Sequence, residues 1–386
     1  QGNWGDVRTG DDAAAPRYIE ARPSKFALDV AFNAKTTEWQ LSYDGRKNEP
    51  VTLPMKFPLL LAQGAEGIAV GLSTKILPHN FCELCEATIQ YLRGKKFELY
   101  PDFLTGGMMD ASNYNEGKRG GKIRVRAWIE EMDKKTLLIK SVPYGVTTST
   151  LADSITKAND AGKIKIKKVT DVTAKETEIQ VDLAPGISPD ITIDALYAFT
   201  DCEVSISPNA CVIAGQKPCF TGVHDLLKLS ADNTKDLLRR ELEIKLRELE
   251  DKWHYTSLEK IFFEEKIYKE LEQKHATWEN VLEAIDTAFQ PFLKKLKRGI
   301  AREDILKLTE KPVRRIYKLD IDELDAQIKN IEADIKQVLY DLNHLTDFAV
   351  AYFENLLKKY GKGRERKTEI KPFDNIQARQ VAIANI

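Results

Sequence analysis

An arginine directly followed by a tyrosine, Arg17-Tyr18, is the pair in this sequence whose residue types best suit covalent chemistry. A free tyrosine has a pKa of about 10, so its phenol is a weak nucleophile at neutral pH without a positive charge nearby. The guanidinium of Arg17 would supply that charge in a fixed, planar form. Most tyrosines only pack or form hydrogen bonds, so the pair alone leaves a structural role for Tyr18 open.

A second candidate is an isoleucine between small residues, in Gly67-Ile68-Ala69-Val70-Gly71. From the residues alone, a short apolar run of this kind is most often a buried strand, and we predict one here.

Basic residues are concentrated in short segments although the chain is almost neutral. Its 386 residues include 58 Lys and Arg against 59 Asp and Glu, for a formal net charge of −1. Residues 122–126 are predicted to form a strand, and residues 163–167 repeat its pattern. Strand alternation places three basic side chains on one face: Lys122, Arg124 and Arg126. Such a face is either a solvated edge that opposes aggregation or a track for the phosphates of duplex DNA.

Other chemistry finds little support in the sequence. Cys82 and Cys85 fall in a predicted helix without the second ligand pair of a zinc site, and we expect reduced thiols. Asp11 and Asp12 are adjacent, so their side chains diverge, and we predict no metal site. The chain contains no phosphate-binding P-loop, no apolar run of about 18 residues and no signal peptide, so we expect no nucleotide site and no membrane partner.

The periodicity divides the chain into three parts. Residues 1–50 combine a glycine-punctuated loop with a helix predicted at 24–34. Residues 51–223 mix short alternating strands with helical segments and Gly or Pro turns. Residues 224–386 are predicted to be long helices, and the Pro- and Gly-containing stretch 276–320 a small helical head between two antiparallel arms.

The two arms differ in pattern. The first is predicted to run from about Leu226 to His275, which is about 75 Å of helix at 1.5 Å per residue. In the second, apolar residues alternate steps of three and four from Ile321 to Leu356, a coiled-coil seam of about five heptads. Apolar residues at 316–321 have two interpretations, a dimer contact or the internal core of the head.

Several ordered motifs resemble the A subunits of bacterial type IIA DNA topoisomerases, the family of gyrase and topoisomerase IV. The match starts at Gln1-Gly2-Asn3-Trp4-Gly5-Asp6 and covers the segment around Arg17-Tyr18, where Pro16 and Ile19 replace the residues common in the family. Together the motifs cover nearly the whole chain. The later matches are Tyr43-Asp44-Gly45, residues 67–74, Pro78-His79-Asn80, Val142-Pro143-Tyr144, Tyr360-Gly361 and residues 366–370.

The resemblance implies an α+β, multidomain fold. Residues 1–50 would be the remnant of a winged-helix domain and residues 51–223 a mixed α/β tower domain. Residues 224–386 would form a long antiparallel coiled coil whose head, 276–320, carries an exit-gate dimer contact. In this family the tyrosine at the position of Tyr18 attacks a DNA phosphorus and becomes joined to the 5′ end.

The resemblance also implies roles for neighbouring residues and for partners. Arg17 would stabilise charge on the phosphate, Ile68 would wedge into the minor groove, and the basic face of 122–126 would follow the DNA backbone. The chain would act on double-stranded DNA as a homodimer, within an A2B2 heterotetramer, in the cytoplasm at the nucleoid. Mg²⁺ and ATP would both be held by the B subunit and neither by this chain.

The family's residues that grip the scissile phosphate would precede Gln1, so we expect a fragment that cleaves DNA poorly alone. Similarity slightly favours the topoisomerase IV branch over gyrase. The competing hypothesis is a non-enzymatic, DNA-bending scaffold with a coiled-coil arm, in which Tyr18 is structural.

Overall fold

The fold of the described residues consists of two compact units. The first comprises the described residues of Gln1–Asn33, Thr37–Thr234 and Ala349–Ile386, and the second comprises those of Ala34–Thr36 and Lys235–Phe348. The three-part division made from the sequence remains a prediction. The structure is a computed structural model, and it describes residues 1–174, 176–271, 277–310, 321–374 and 376.

The first unit opens with a loop that leads into a short 3-10 turn, Pro16–Tyr18. Pro16 stands at its first position, where the fixed φ of proline favours a helical turn and no N–H is needed. Helix α1, Lys25–Ala31, follows, and the hydroxyl of Ser24 caps it by accepting from the backbone N–H of Ala27. This confirms the helix predicted near 24–34.

Short strands and helices alternate through the rest of the first unit. In chain order they are β1 (Glu38–Leu41), β2 (Asn48–Thr52), α2 (Leu59–Gln63), β3 (Ala65–Ala69), β4 (Leu72–Ile76), α3 (Phe81–Leu92), β5 (Met108–Asn113), β6 (Lys122–Arg126), β7 (Ile129–Asp133), β8 (Thr136–Ile139), α4 (Thr148–Asp160), β9 (Ile166–Asp171), β10 (Ile179–Leu183), α5 (Pro189–Phe199), β11 (Glu203–Ile206), β12 (Cys211–Ala214), β13 (Lys217–Phe220) and, near the end of the chain, β14 (Glu369–Ile370). This confirms the mixed α/β character predicted for 51–223.

The strands form sheets and separate hairpins. In the described residues, one four-stranded sheet has the order β7-β8-β10-β9 and the other the order β11-β6-β5-β14. Strand β14 lies parallel to β5, whereas the other pairs of these two sheets are antiparallel. Three hairpins, β1–β2, β3–β4 and β12–β13, pair only within themselves.

The two predicted basic strands have different outcomes. In β6, Ile123 and Val125 are fully buried and alternate with the basic side chains, as predicted. The second strand starts later than expected, because β9 begins at Ile166. The residues before it form the C-terminal end of α4 instead. Gly162 has φ +69°, and the N–H of Lys163 donates to the carbonyl of Ala158. This is the hydrogen bond of a glycine-terminated helix end.

A 42-residue helix, α6 (Val223–Glu264), starts in the first unit and continues into the second. It ends earlier than the predicted His275, which lies outside the described residues. After α6, Lys266 adopts a left-handed φ of +58° and the chain enters a 3-10 segment, Ile267–Leu271. This turn directs Ile267 into a hydrophobic cluster and so ends the helix.

The cluster belongs to a group of short helices in the second unit. Helix α7 spans Trp278–Phe289, a 3-10 segment spans Gln290–Lys295, and α8 spans Arg302–Thr309. Rings of Phe262 and Phe289 stack at 6.3 Å at its centre. The helical structure predicted for 276–320 is therefore present in the described residues 277–310. Residues 316–320 of the proposed dimer contact lie outside the described part.

Two helices end the described helical part of the chain, α9 (Ile321–Asn343) and α10 (Leu345–Tyr360). Helix α9 lies antiparallel to α6. Its contacts run in opposite chain directions: Lys260 with Asp325 (2.7 Å), Trp253 with Glu332 (3.0 Å) and, just beyond α9, Lys235 with Thr346 (2.8 Å). None of the helices in the described residues has the length and apolarity needed to cross a membrane.

The prediction of an unbroken second arm is wrong at His344. This residue separates α9 from α10, although the apolar pattern continues through it. Its N–H lies between the carbonyls of Tyr340 and Asp341, and its ring Nδ1 bonds to the Tyr340 carbonyl at 2.9 Å. The i to i−4 bonds from His344 to Tyr340 and from Phe348 to His344 are retained, so the interruption is confined to this residue.

Helix α10 returns the chain to the first unit. Its Phe353 is fully buried in the same core as Phe57 and Phe81, and Tyr360 packs edge-on against Phe26 at 5.2 Å. Further along the chain, β14 pairs with β5, and the carbonyl of Phe373 accepts a hydrogen bond from Arg124 of β6.

Candidate nucleic-acid interface

The 3-10 turn presents Tyr18 to solvent. Its side chain is 66% exposed, and the guanidinium carbon of Arg17 lies 4.7 Å from the centre of its ring. This distance is that of a cation–π contact. No ion pair joins Arg17 to another described residue. Its positive charge is therefore available to an anion that approaches the phenol.

Backbone contacts hold this turn in place. The N–H of Glu20 donates to the carbonyl of Gln1 (2.9 Å), and the N–H of Ala14 donates to that of Asn3 (3.0 Å). Gly2 has φ +100°, and a Cβ there would lie 2.7 Å from the carbonyl oxygen of Tyr18. Only glycine allows this approach without a shift of the backbone. The sequence analysis assigned no role to Gly2.

The loop between these contacts is attached to helix α4. The N–H of Thr148 donates to the carbonyl of Arg8 at 2.9 Å, and Gly10 packs against the side chain of Thr147. Within the loop, the side chain and backbone N–H of Arg8 bind the carboxylate of Asp6 and lower its pKa to about 2. The segment before Tyr18 is thus an ordered support.

The run containing Ile68 forms the β3–β4 hairpin, with Val70 and Gly71 at the turn. The strand structure is present, but the interpretation of a buried strand is wrong, because Ile68 is 92% exposed. In the described residues, β3 and β4 form a two-stranded sheet of their own. Ile68 and the turn residue Val70 are both almost fully exposed, so the tip presents two apolar side chains to solvent.

A single asparagine anchors this hairpin. Asn209 exchanges two backbone hydrogen bonds with Lys75 (2.8 and 3.0 Å), and its side-chain amide donates to the carbonyl of Ser73 at 2.8 Å. The N–H of Cys211 donates to the hydroxyl of Thr74. These bonds fix the base of β3–β4 to the segment that enters β12.

The basic face of β6 differs from the prediction, because its arginines are engaged within the fold. Arg124 donates to Asp110 at 2.7 Å and to the carbonyl of Phe373 at 3.1 Å. Burial alone would raise the pKa of Asp110, but donors from Ser112, Arg124 and the Phe373 backbone outweigh it and hold that pKa well below its usual range. Arg124 is therefore paired with the buried carboxylate of Asp110.

Arg126 is more deeply buried than Arg124. Its Nε donates to Glu203 at 2.5 Å, and its guanidinium lies over the rings of Tyr197 (4.6 Å) and Phe373 (4.3 Å). Its side chain is 11% exposed. Of the three basic residues predicted on this face, Lys122 alone is exposed.

The described residues do not fit a metal site. No three His, Cys, Asp or Glu side chains among them converge as ligands. Glu20 is the carboxylate nearest in sequence to Tyr18, and its side chain is exposed.

Comparison with known proteins identifies the family. The chain belongs to the family of DNA gyrase/topoisomerase IV A subunits, whose sequence model matches residues 1–354. It is 38% identical over 386 residues to the A subunit of DNA topoisomerase 4 from Borreliella burgdorferi, and the match covers 100% of this chain and 61% of that protein. The resemblance found from the motifs is confirmed.

Gyrase proteins match with lower identity. The A subunit of DNA gyrase from Chlamydia pneumoniae is 30% identical over 394 residues, which cover 96% of this chain and 46% of that protein. The A subunit of DNA gyrase from Staphylococcus aureus is 26% identical over 408 residues, which cover 98% of this chain and 44% of that protein. The chain thus spans between 44% and 61% of the length of these three relatives.

Proposed function

We propose that this chain is the DNA breakage-reunion region of a bacterial type II topoisomerase A subunit, with Tyr18 as the nucleophile. The observation that carries the proposal is the exposed phenol of Tyr18 on a supported turn, beside a guanidinium of Arg17 that no described carboxylate pairs. A nucleophile must reach a phosphorus on a bulky duplex, which a buried tyrosine could not do.

The reaction is a transesterification that conserves the phosphodiester. The phenolic oxygen of Tyr18 loses its proton and forms a bond to the phosphorus, and the bond from phosphorus to the 3′ oxygen breaks. That oxygen takes up a proton, and the 5′ end stays attached to Tyr18. The reverse reaction reseals the strand without an outside source of energy. Arg17 stabilises the negative charge that develops on the non-bridging oxygens.

DNA is also held by exposed residues outside this turn. Ile68 inserts between base pairs in the minor groove and bends the duplex, and exposed Lys122 contacts phosphate. Arg124 and Arg126 are left out of this surface, because Asp110 and Glu203 already hold their guanidinium groups.

The partners follow from the family. Two copies related by two-fold symmetry would cut the two strands, with B subunits completing an A2B2 assembly that passes a second duplex through the break. The B subunits would hold both Mg²⁺ and ATP, and the assembly would act at the nucleoid in the cytoplasm. The winged-helix, tower and coiled-coil roles, and the exit gate, belong to the same proposal.

Topoisomerase IV is favoured over gyrase by the higher identity, 38% against 30%. Membership of this family also disfavours the hypothesis of a non-enzymatic DNA-bending scaffold. The second candidate is therefore the gyrase counterpart of this subunit, which would cut DNA by the same step at Tyr18.

The test uses the full-length subunit with its B partner, Mg²⁺ and supercoiled plasmid, stopped with denaturant. Wild type should give linear DNA with covalently attached protein, and Tyr18→Phe should give none, because it lacks the attacking oxygen. Tyr340→Phe is the matched control, since this tyrosine is also exposed and should leave the adduct unchanged. Equal adduct from Tyr18→Phe would place the nucleophile elsewhere.

A further inference from the structure

A polar notch lies beside the Ile68 hairpin. It has a volume of about 320 Å³ and is lined by Gly71–Ser73 of the β3–β4 hairpin and by Arg119, Asn209 and Phe220.

Two groups in the notch lack partners among the described residues. The side-chain oxygen of Asn209 is buried without a hydrogen-bond partner there, although its amide nitrogen is bonded. Arg119 is exposed, and no ion pair joins it to the described part of the chain. Its neighbour Lys118 is different, because Glu116 holds that ammonium at 2.6 Å. Of the two groups, only the positive charge of Arg119 suits a phosphate, because the amide oxygen of Asn209 can accept hydrogen bonds but cannot donate them.

The β12–β13 hairpin, which borders the notch through Phe220, repeats the design of the Ile68 hairpin. Both have a two-residue turn, and in both an exposed isoleucine stands two residues before it: Ile68 before Val70-Gly71, and Ile213 before Gly215-Gln216. Ile213 is 81% exposed. Gly215 and Gln216 have φ of +54° and +68°, as a tight hairpin turn requires.

Asn209 connects the two hairpins. It bonds to Lys75 and Ser73 of β4, and it stands two residues before the start of β12 at Cys211. The two exposed isoleucines are therefore carried by hairpins that share one anchor. A surface with two apolar tips and an exposed cation in the notch that borders both hairpins complements the sugar edges and phosphates of a nucleic acid duplex.

We propose that both hairpins hold the same DNA duplex, with Arg119 binding a phosphate in the notch and Ile213 contacting the sugars of the adjoining nucleotides. The inference rests on the proposed function, because the Ile68 hairpin supplies the reason for a duplex at this surface. It adds a second point of support, which would hold the bent DNA on one side of the Ile68 step.

The charge is tested first, in the full-length subunit with its B partner and a fluorescent duplex. Each phosphate contact contributes about 0.9 to the slope of log K against log salt concentration. Arg119→Gln should lower the slope by about that amount and weaken binding about tenfold at low salt. Arg119→Lys should retain most of the slope, and Arg247→Gln, on α6, should match wild type. An unchanged slope in Arg119→Gln would overturn the proposal.

The hairpin tip is tested with a pair of variants that differ only in charge. Ile213→Gln and Ile213→Glu have similar size, and the exposed position should leave the fold intact. If Ile213 lies on the duplex, the glutamate variant should bind roughly fivefold more weakly than the glutamine variant, because its carboxylate faces phosphates. Equal affinities would show that this tip does not touch DNA.

Two further variants separate this inference from the proposed function. Ile68→Ala should reduce the DNA bend, measured by energy transfer between the duplex ends, and Tyr18→Phe should abolish the covalent adduct. Suppose that Ile68→Ala bends DNA less and Tyr18→Phe forms no adduct, while Arg119→Gln keeps the wild-type salt slope and the two Ile213 variants bind equally. The notch proposal alone is then wrong. If Ile68→Ala and Tyr18→Phe also match wild type, the proposed function is wrong as well.

Discussion

Arginines of the first unit occupy two contrasting settings. Arg17 lies on an exposed turn against the ring of Tyr18, and no carboxylate among the described residues pairs with it. Arg126 on β6 is held by Glu203 and enclosed between the rings of Tyr197 and Phe373. One charge is available to an incoming anion, and the other is already neutralised. A basic residue thus marks an anion site only when the fold leaves it without a partner.

The same comparison holds within a single strand. Lys122, Arg124 and Arg126 share one face of β6, yet Lys122 is exposed while Arg124 and Arg126 bind carboxylates and backbone carbonyls. If exposed charges act on DNA and enclosed charges act on stability, substitutions in the two settings should affect different measurements.

The largest effect is expected at Arg17. Arg17→Gln should slow DNA cleavage in the full assembly by about 10²- to 10³-fold, as for the loss of one donor to a developing oxyanion. The cleavage rate of Arg17→Lys should lie between those of wild type and Arg17→Gln, because an ammonium keeps the charge but not the planar pair of donors. The free energy of unfolding should change by less than about 0.5 kcal/mol, since the side chain is exposed.

Single-turnover cleavage and urea unfolding separate these effects. A slow Arg17→Gln variant with unchanged stability supports the exposed setting. An equal rate in wild type and Arg17→Gln would mean that the charge beside Tyr18 does not act in the reaction.

In the enclosed setting of Arg126, loss of the charge pair should reduce the free energy of unfolding. Glu203→Gln removes the carboxylate that pairs with Arg126 and lies 3.8 Å from Arg124. Removing one partner from a fully buried pair costs about 3–5 kcal/mol, and because Glu203 is partly exposed we expect about 2 kcal/mol. Urea unfolding measures this loss.

Glu354→Gln is the matched control for Glu203→Gln. Glu354 pairs with Arg93 at 2.9 Å in the same unit, but both side chains are about half exposed. Such a pair contributes less than about 1 kcal/mol. Similar losses in the two variants would remove the distinction between enclosed and exposed charges.

Sequence patterns predicted the elements that depend on nearby residues. The alternation of β6 followed from its own side chains, and Ser24 capped α1 through a bond to Ala27. The candidate residues Arg17, Tyr18 and Ile68 came from the family motifs, and the structure places all three at the surface.

Pairing over long distances could not be predicted in the same way. Glu203 lies 77 residues from Arg126, and Phe373 lies 249 residues from Arg124, so no local pattern shows that these groups meet. The exposure of Ile68 depends on a hairpin that joins no larger sheet. The break at His344 falls in a segment whose apolar spacing is regular, so the spacing alone does not show it.

A buried histidine without a charged hydrogen-bond partner among the described residues provides a third setting. His79 is buried, its Nδ1 bonds to the carbonyl of Leu61, and its Nε2 lies 3.2 Å from the hydroxyl of Tyr114. Burial, aided by the charge of Arg366, lowers the pKa of His79 to about 4 from the usual 6.5. The unfolded chain therefore binds the proton more tightly, and stability should fall as the pH drops below about 6.5.

For His79, linkage gives a loss of about 1 kcal/mol between pH 7.5 and 5.5. His79→Asn should be less stable at pH 7.5 but should lose about 1 kcal/mol less than wild type over this range. Tyr114→Phe keeps the buried imidazole and should retain the wild-type dependence. If His79→Asn and wild type show parallel pH curves, the imidazole does not carry this dependence.

The smallest effect is expected at Lys122. Lys122→Gln should lower the salt slope of DNA binding by at most about 0.9 and weaken binding a few-fold at low salt, because one exposed ammonium makes at most one phosphate contact. Arg124→Gln should leave the slope unchanged, because Asp110 and the Phe373 carbonyl already occupy that guanidinium. A lower slope in Arg124→Gln, with Lys122→Gln unaffected, would mean that DNA displaces the internal partners of Arg124. Charge on this face would then be made available by binding instead of being fixed by the fold.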